Sequence, residues 1–304
     1  MAQPGPGVRI ETLDLEFQGT PHVIASFVLH GPDGVVLIEP GPASTTGMLL
    51  AGLQQLGLRP ADVRDVLVTH IHLDHAGAAG YWARQGARVF VHPLGAPHLI
   101  DPSRLLASAE RIYGDRMEQL WGDVLAAPPE RVVAVPDGGV IEAGGLRLRA
   151  LDTPGHARHH HVYVLGDVVF AGDAAGIQLP GHSWTDLPAP PPEFDLPAWK
   201  RTLARLRELG LGTLYRTHFG GTTNVEAELA TFETVLDRAV EWMEEMLASG
   251  LDRDGMVVEF SRRMREWAAR RGTSGEATRA YELANPREMS VDGISRYLRK
   301  RNAG

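Results

Sequence analysis

The sequence predicts a mixed α/β fold in which two β-sheets pack face to face with helices outside, followed by a purely helical tail. Three observations predict it. The segments run strands, helices, strands and a helix, giving two halves of similar order. The halves share a short likeness: "GVVLIEPGPA" from Gly34 and "DVVFAGDAAG" from Asp167 are each an apolar strand that delivers an acid and then turns on glycine. After Asn224 the character changes to all helix.

Taken in order, "VRIETLDLEF" and "HVIASFVLH" carry the β-branched and aromatic bias of strands, and "GVVLIEPG" is a short apolar run closed by Pro-Gly. "STTGMLLAGLQQLGL" reads as a helix capped by Ser44 or Thr45. "DVLVTH" is a buried strand ending at Thr69, "HAGAAGYWARQG" a helix, and "ARVFVH" the next strand. Residues 94–127 read as helical, with apolar faces alternating with charge. A second strand-rich block holds "RVVAV", "GVIEAGGLRLRALDTPG", "HHHVYVL" and "DVVFAGD". "FDLPAWKRTLARLRELG" is an amphipathic helix, and "GTLYRTHFG" a strand ending in a loop. The proline-dense "PGHSWTDLPAPPPEFDLP" is too stiff and too short for an interdomain linker. In the tail, Leu229, Phe232, Leu236, Val240, Met243 and Leu247 share one face at helical spacing, and two or three further helices follow.

Composition narrows the function. A net charge of −8 argues against a nucleic-acid or anionic-membrane surface, because phosphate binding is driven by clustered cations. The tail is near neutral, with 13 Lys and Arg against 15 Asp and Glu in residues 225–304, so it is no nucleic-acid arm. The chain has no cysteine, which removes disulfides, thiolate nucleophiles, iron–sulfur clusters and cysteine-ligated zinc together. Any transition metal must be held by nitrogen and oxygen. "MAQPGPGVRIE" lacks the pattern of a secretory signal, and no stretch approaches the ~20 apolar residues that span a bilayer, so a cytoplasmic protein is expected.

The chemistry concentrates in "LVTHIHLDHAGAAG", where three of the 13 histidines and an aspartate fall within six residues. If strand geometry continues briefly past Thr69, His70 and His72 point the same way. Asp74 and His75 then turn onto the start of a helix. Neutral imidazole with carboxylate suits zinc, iron or manganese better than calcium or magnesium. "TPGHARHHH" adds His156, "VFAGDAAG" adds Asp173 and "LYRTHFGG" adds His218, each just past an apolar strand. Together these are seven ligand-type side chains, enough for two metals.

With "THIHLDHAG", "TPGH", "FAGD" and "THFG" in this order and spacing, the chain resembles the metallo-β-lactamase superfamily over roughly residues 8–224. The resemblance implies an αββα four-layer sandwich as the catalytic domain, residues 1–224, with residues 225–304 as a helical extension. It also implies that His70, His72 and His156 hold one metal, that Asp74, His75 and His218 hold a second, and that Asp173 bridges both. Zinc is the first expectation, iron or manganese the alternatives. The flavodiiron branch has Glu where this chain has His72, which disfavours redox chemistry of that type. Three departures stand out: Glu39 replaces the family's usual aspartate after the "IEPG" strand, lysine is missing from the motif region, and the tyrosine that acyl-homoserine lactonases carry is absent from "DAAGIQLPG".

The expected activity is therefore a dinuclear metal-dependent hydrolase that uses a metal-bridging hydroxide on a small ester, thioester, lactone or related substrate, with Asp74 as proton acceptor. Three other readings stand beside it. They are a mononuclear iron dioxygenase of the persulfide type on His70, His156 and Asp173, a same-fold phosphodiesterase or nuclease, and a ligand-sensing protein. The acidic balance and the lack of a histidine after His218 count against a nuclease. Strand alternation would put His159 and His161 on one face and His160 on the other, so His159 or His160 is a candidate substrate contact; His182 and Trp184 are candidates on the proline-dense loop. The tail is expected over the active-site side, to enclose a small-molecule substrate or to build a homodimer.

Overall fold

The structure, a computed structural model, describes residues 8–303; residues 1–7, on which the absence of a secretory signal was read, lie outside them. The first sheet is β1 (Arg9–Asp14), β2 (Ala25–Gly31), β3 (Gly34–Ile38), β4 (Val63–Leu67), β5 (Arg88–Val91) and β6 (Val132–Ala134), in that spatial order. The second is β7 (Val140–Ala143), β8 (Leu146–Asp152), β9 (His161–Leu165), β10 (Val168–Phe170), β11 (Thr213–Arg216) and β12 (Gly220–Thr222), also neighbours in sequence order.

Each half contains the same four-strand connectivity. β1, β2 and β3 are antiparallel, then α1 (Thr46–Gln55) crosses over to a parallel β4. β8, β9 and β10 repeat this, with α7 (Leu196–Glu208) crossing to a parallel β11. The two strands alike in sequence, β3 and β10, occupy equivalent places and end just before Glu39 and Asp173. In the first half α2 (Leu73–Ala76) and α3 (Ala79–Arg84) join β4 to β5, and α4 (Ala96–Ile100), α5 (Ser103–Tyr113) and α6 (Met117–Trp121) join β5 to β6.

Strand alternation separates three cores. Phe27, Leu29, Val36 and Ile38 face Leu148, Ala150, Tyr163 and Phe170 between the sheets. Val28, Leu37, Val66 and Val89 face outward against Leu49, Leu53 and Trp82 of the helices. On the far side, Val162, Val164, Val169 and Leu214 pack on Trp199 and Leu203 of α7 and on the tail. The result is the four-layer arrangement expected.

The tail consists of α8 (Val225–Ala248), α9 (Arg253–Arg270), α10 (Gly275–Ala284) and α11 (Arg287–Ala303). Leu229, Phe232, Leu236, Val240 and Met243 are buried in the core that the second sheet shares with the tail, while Leu247 is only partly buried. The tail also clamps the loop after β10. The Tyr281 hydroxyl accepts from the Leu179 amide (3.0 Å) and donates to the Trp184 carbonyl (2.7 Å). Asn285 Nδ2 and Ser290 Oγ both donate to the Leu187 carbonyl, and Arg287 pairs with the buried Asp186. Gly293 lets α11 approach so closely that a Cβ there would sit 2.0 Å from the Ala189 carbonyl oxygen.

Four local expectations are corrected. "RVVAV" belongs to the first sheet, as β6 pairing parallel with β5, and not to the second block. The 94–127 segment is three short helices ending at Trp121. The strand before the His-rich loop ends at Leu67. Thr45 occupies the cap position of α1 without a side-chain capping bond, since its hydroxyl donates to the Pro42 carbonyl.

Candidate metal centre

The loops leaving β4, β8, β10 and β11 meet at one end of the sandwich and bring the seven ligand-type side chains together. His70 Nε2 lies 2.9 Å from His72 Nδ1, and His156 Nε2 lies 3.2 and 2.9 Å from those two atoms. Three imidazole nitrogens thus face one point, close to the roughly 3.3 Å separation of nitrogens that share a tetrahedral ion. A second group gathers Asp74 Oδ2, His75 Nε2 and His218 Nε2, with Asp74 at 3.6 Å from His75 and 3.3 Å from His218. Asp173 stands between the groups. Its Oδ1 is 3.4 Å from His75 Nε2 and 3.7 Å from His218 Nε2, while its Oδ2 is 3.4 Å from His156 Nε2.

The far side of four of the five rings is tied down, which fixes the nitrogen that points inward. His156 Nδ1 donates to the Pro188 carbonyl (2.8 Å) and His218 Nδ1 to the Val23 carbonyl (2.7 Å). His70 Nδ1 meets the Thr69 hydroxyl at 3.1 Å, and His75 Nδ1 bonds Glu39. Glu39 is the hub of this outer layer. Its carboxylate also accepts from the Thr69 amide (2.6 Å) and from the hydroxyls of Thr69 and Thr217 (3.0 Å each). Its backbone takes φ 61°, a region few non-glycine residues adopt. Glu39 orients His75 from behind. Glu39, His70 and His75 also form a group of metal-ligand type, but Glu39 meets the backs of the rings there, so the group belongs to the support.

Electrostatics separates the two groups. Burial, and then His75, His72 and His156, push His70 well below the ordinary histidine range; burial and then His156 bring His72 to about 3. Burial lowers His156 as well. In the second group burial opposes charge but loses to the carboxylates: Asp74, Asp173 and Glu39 hold His75 well above its usual value, and His218 is raised by Asp173 and Asp74. The same contacts outweigh burial at the acids, lowering Asp74 to about 2 and Asp173 well below the carboxylate range.

Two features of this arrangement fit bound metal. His75 Nε2 and Asp173 Oδ1 are buried without a hydrogen-bond partner, an expensive state for polar atoms unless something else satisfies them. The three imidazole nitrogens of the first group converge within 2.9–3.2 Å of one another on one point, an arrangement that a shared cation satisfies.

The remaining candidates fall elsewhere. His159 lines the cavity, ring edge to face with His72 at 5.5 Å. His160 does not line the cavity: it is fully buried, with Nδ1 on the Thr153 hydroxyl (2.8 Å) and Nε2 accepting from the Asp173 amide (3.2 Å). The expected alternation fails because β9 begins only at His161, so His159 and His160 lie in the preceding turn. Gly172, at φ 51°, makes room for this support, since a Cβ would meet Thr69 Oγ1 at 2.4 Å and His160 Nε2 at 2.8 Å. Trp184 does not reach the cavity: it is buried against Trp267 at 5.0 Å between ring centres. His182 sits on the same clamped loop beside Tyr281.

The site opens into a cavity of about 900 Å³. One wall is α5 and α6, including Leu105, Ile112, Tyr113 and Trp121; another is the tail, from Arg253 on α9 to Asp292 on α11; Pro188 and Pro190–Glu193 close a third side. The expected placement of the tail over the site is what the structure shows. The α5 wall was missed, because its charged face reads in sequence as ordinary solvated helix.

Two six-stranded sheets between helical layers, with histidine and aspartate clusters at the strand ends, define an αββα protein whose site has the donor set for metal ions. The chain belongs to the metallo-beta-lactamase superfamily, whose family description matches residues 19–218. Among curated proteins it is 29% identical over 194 residues to the metallo-beta-lactamase fold-containing protein ST1585 of Sulfurisphaera tokodaii, covering 62% of this chain and 70% of that one. It is 26% identical over 238 residues to an atrochrysone carboxyl ACP thioesterase of Aspergillus chevalieri, covering 77% of this chain and 60% of the relative. The crystal structure of the metallo-beta-lactamase family protein TTHA1429 from Thermus thermophilus superposes with a TM-score of 0.67 at 25% identity, over 98% of this chain and 95% of that one. That near-complete coverage takes in the helical tail. Among the described residues no helix is long and apolar enough to cross a membrane.

Proposed function

We propose that this protein is a dinuclear metal-dependent hydrolase of a small acyl substrate: an ester, thioester or lactone. The observation that carries the reading is Asp173, whose two carboxylate oxygens face one histidine group each while Oδ1 has no other partner. His70, His72 and His156 would hold one ion, Asp74, His75 and His218 the other, with Asp173 between; zinc suits the nitrogen-rich set, iron or manganese being the alternatives. Bound there, two divalent ions would polarise the scissile carbonyl and lower the pKa of water towards ~7.

The chain's own groups supply the rest. Asp74 keeps its charge and is 21% exposed to the cavity, so it can take the proton of the attacking water and pass it to the leaving sulfur or oxygen. His159 borders the same space and would orient the acyl group, while Leu105, Ile112 and Tyr113 exclude bulk water around it. The likeness to a relative named as a thioesterase favours thioesters among the candidates. The dioxygenase reading would use His70, His156 and Asp173 alone and leaves the second group without a task. A small molecule in a cytoplasmic setting completes the proposal.

The test is elemental analysis of protein purified without chelator, with a panel of thioester, lactone, ester and phosphodiester substrates. Near two equivalents of metal and turnover of an acyl substrate are expected. One iron with oxygen consumption would overturn the reading.

A further inference from the structure

The cavity carries six arginines, and they divide into two kinds. Arg253, Arg265 and Arg287 are each neutralised by a carboxylate, on Asp292, Glu282 and Asp186. Arg104, Arg111 and Arg116 line the same cavity, yet among the described residues none of them has a carboxylate within ion-pair distance. Arg104 and Arg111 are seven residues apart on α5, two helical turns, and so share a face; Arg116 follows just before α6. Between them on that wall stand Leu105, Ala109 and Ile112, the last 45% exposed. The cavity's other carboxylates, Asp74, Asp173, Glu193 and Glu288, form no ion pair with these three arginines among the described residues.

We infer that the α5–α6 wall is a substrate subsite for an oxyanionic group, phosphate or carboxylate, carried on an acyl compound some distance from its scissile bond. The apolar residues of the wall take the intervening chain, and the arginines take the anion through charge-assisted, bidentate hydrogen bonds. The volume supports this, since about 900 Å³ exceeds what a simple ester fills and suits a ligand of drug-like or cofactor-like size. The inference rests on the hydrolase reading for its acyl part but not for its anion.

The test uses metal-loaded protein and three S-acyl substrates with the same acyl group: neutral N-acetylcysteamine, glutathione for carboxylate, and pantetheine 4′-phosphate for phosphate. An anionic substrate should show KM lowered by roughly ten-fold for each arginine engaged, at similar kcat, and the carboxylate and phosphate arms tell the two anions apart. In the Arg104→Ala/Arg111→Ala/Arg116→Ala protein the ratio of kcat/KM between anionic and neutral substrates should collapse towards one, a ratio that cancels any loss of active protein. Non-hydrolysable thioether analogues, measured by calorimetry, give the same comparison without turnover. Arginine-dependent binding of the anionic analogue with no hydrolysis of any substrate would keep the subsite and sink the hydrolase. Turnover without anionic preference, or preference unchanged in the triple variant, would sink the subsite. Arginine dependence confined to acyl groups borne on an acidic carrier protein would overturn it in favour of protein docking.

Discussion

At the scale of residues, the inner groups could be named from sequence because each follows an apolar strand in a short motif, while their supports could not. Asp173 is the inner residue on which most depends. Asp173→Ala should abolish hydrolysis and lower metal content more than His218→Ala, because it faces both groups and His218 only one. Asp173→Asn should also fail to restore two equivalents, since a neutral amide does not offset two repelling cations; full occupancy by elemental analysis would mean that Asp173 does not bridge. Glu39 was visible only as a departure from a pattern. Its partners Thr69 and Thr217 come from opposite halves of the chain, 30 and 178 residues away, and no local signal announces that. His161 gives a pH test apart from the metal. Burial, then His92, holds it at about 3, whereas an unfolded chain takes up that proton below ~6.5. Its folded value is depressed, so stability from this neutral ring is complete above about pH 6.5 and is lost as pH falls towards 3. His161→Phe should therefore flatten the decline of Tm between pH 7 and 4; an equally steep decline would count against the assignment.

At the scale of elements, periodicity reads well where one face is buried and poorly where pairing is decided elsewhere. The apolar stripe of α8 was legible because that face is buried along most of its length, packed against α7, α9 and α11. β6 has three residues, and its sheet is chosen by β5 and not by its own sequence. The loop after β10 was misread for a related reason: Trp184 is held by Tyr281, 97 residues downstream, a contact that no window of sequence contains. This clamp makes its own predictions. Arg287→Ala leaves Asp186 buried and unpaired and should cost about 3–5 kcal/mol in chemical denaturation. Gly293→Ala should destabilise by pushing α11 off the Ala189 carbonyl, where the space for a methyl group is already filled. Near-wild-type midpoints for both would show that the tail is only loosely laid over the loop.

At the scale of the molecule, the two halves follow one plan, and the sequence betrayed it in only ten residues of each. The architecture was legible because strand order, not strand detail, decides layers. The seven inner side chains divide between the halves: His70, His72, Asp74 and His75 follow β4, while His156, Asp173 and His218 follow strands of the second sheet. A cation held by both sets spans the seam, so chelation should lower Tm by several degrees, and an unchanged melting curve after verified metal removal would contradict that. The seam has a consequence for assembly. Between β6 and β7 the chain crosses from one sheet to the other only once, through residues 135–139. Severed there, the protein becomes two polypeptides, each holding a complete sheet and an incomplete set of donors. Co-expressed as separate pieces, they should find each other through the apolar faces between the sheets, and zinc in the medium should act as the glue that decides how tightly they stay joined.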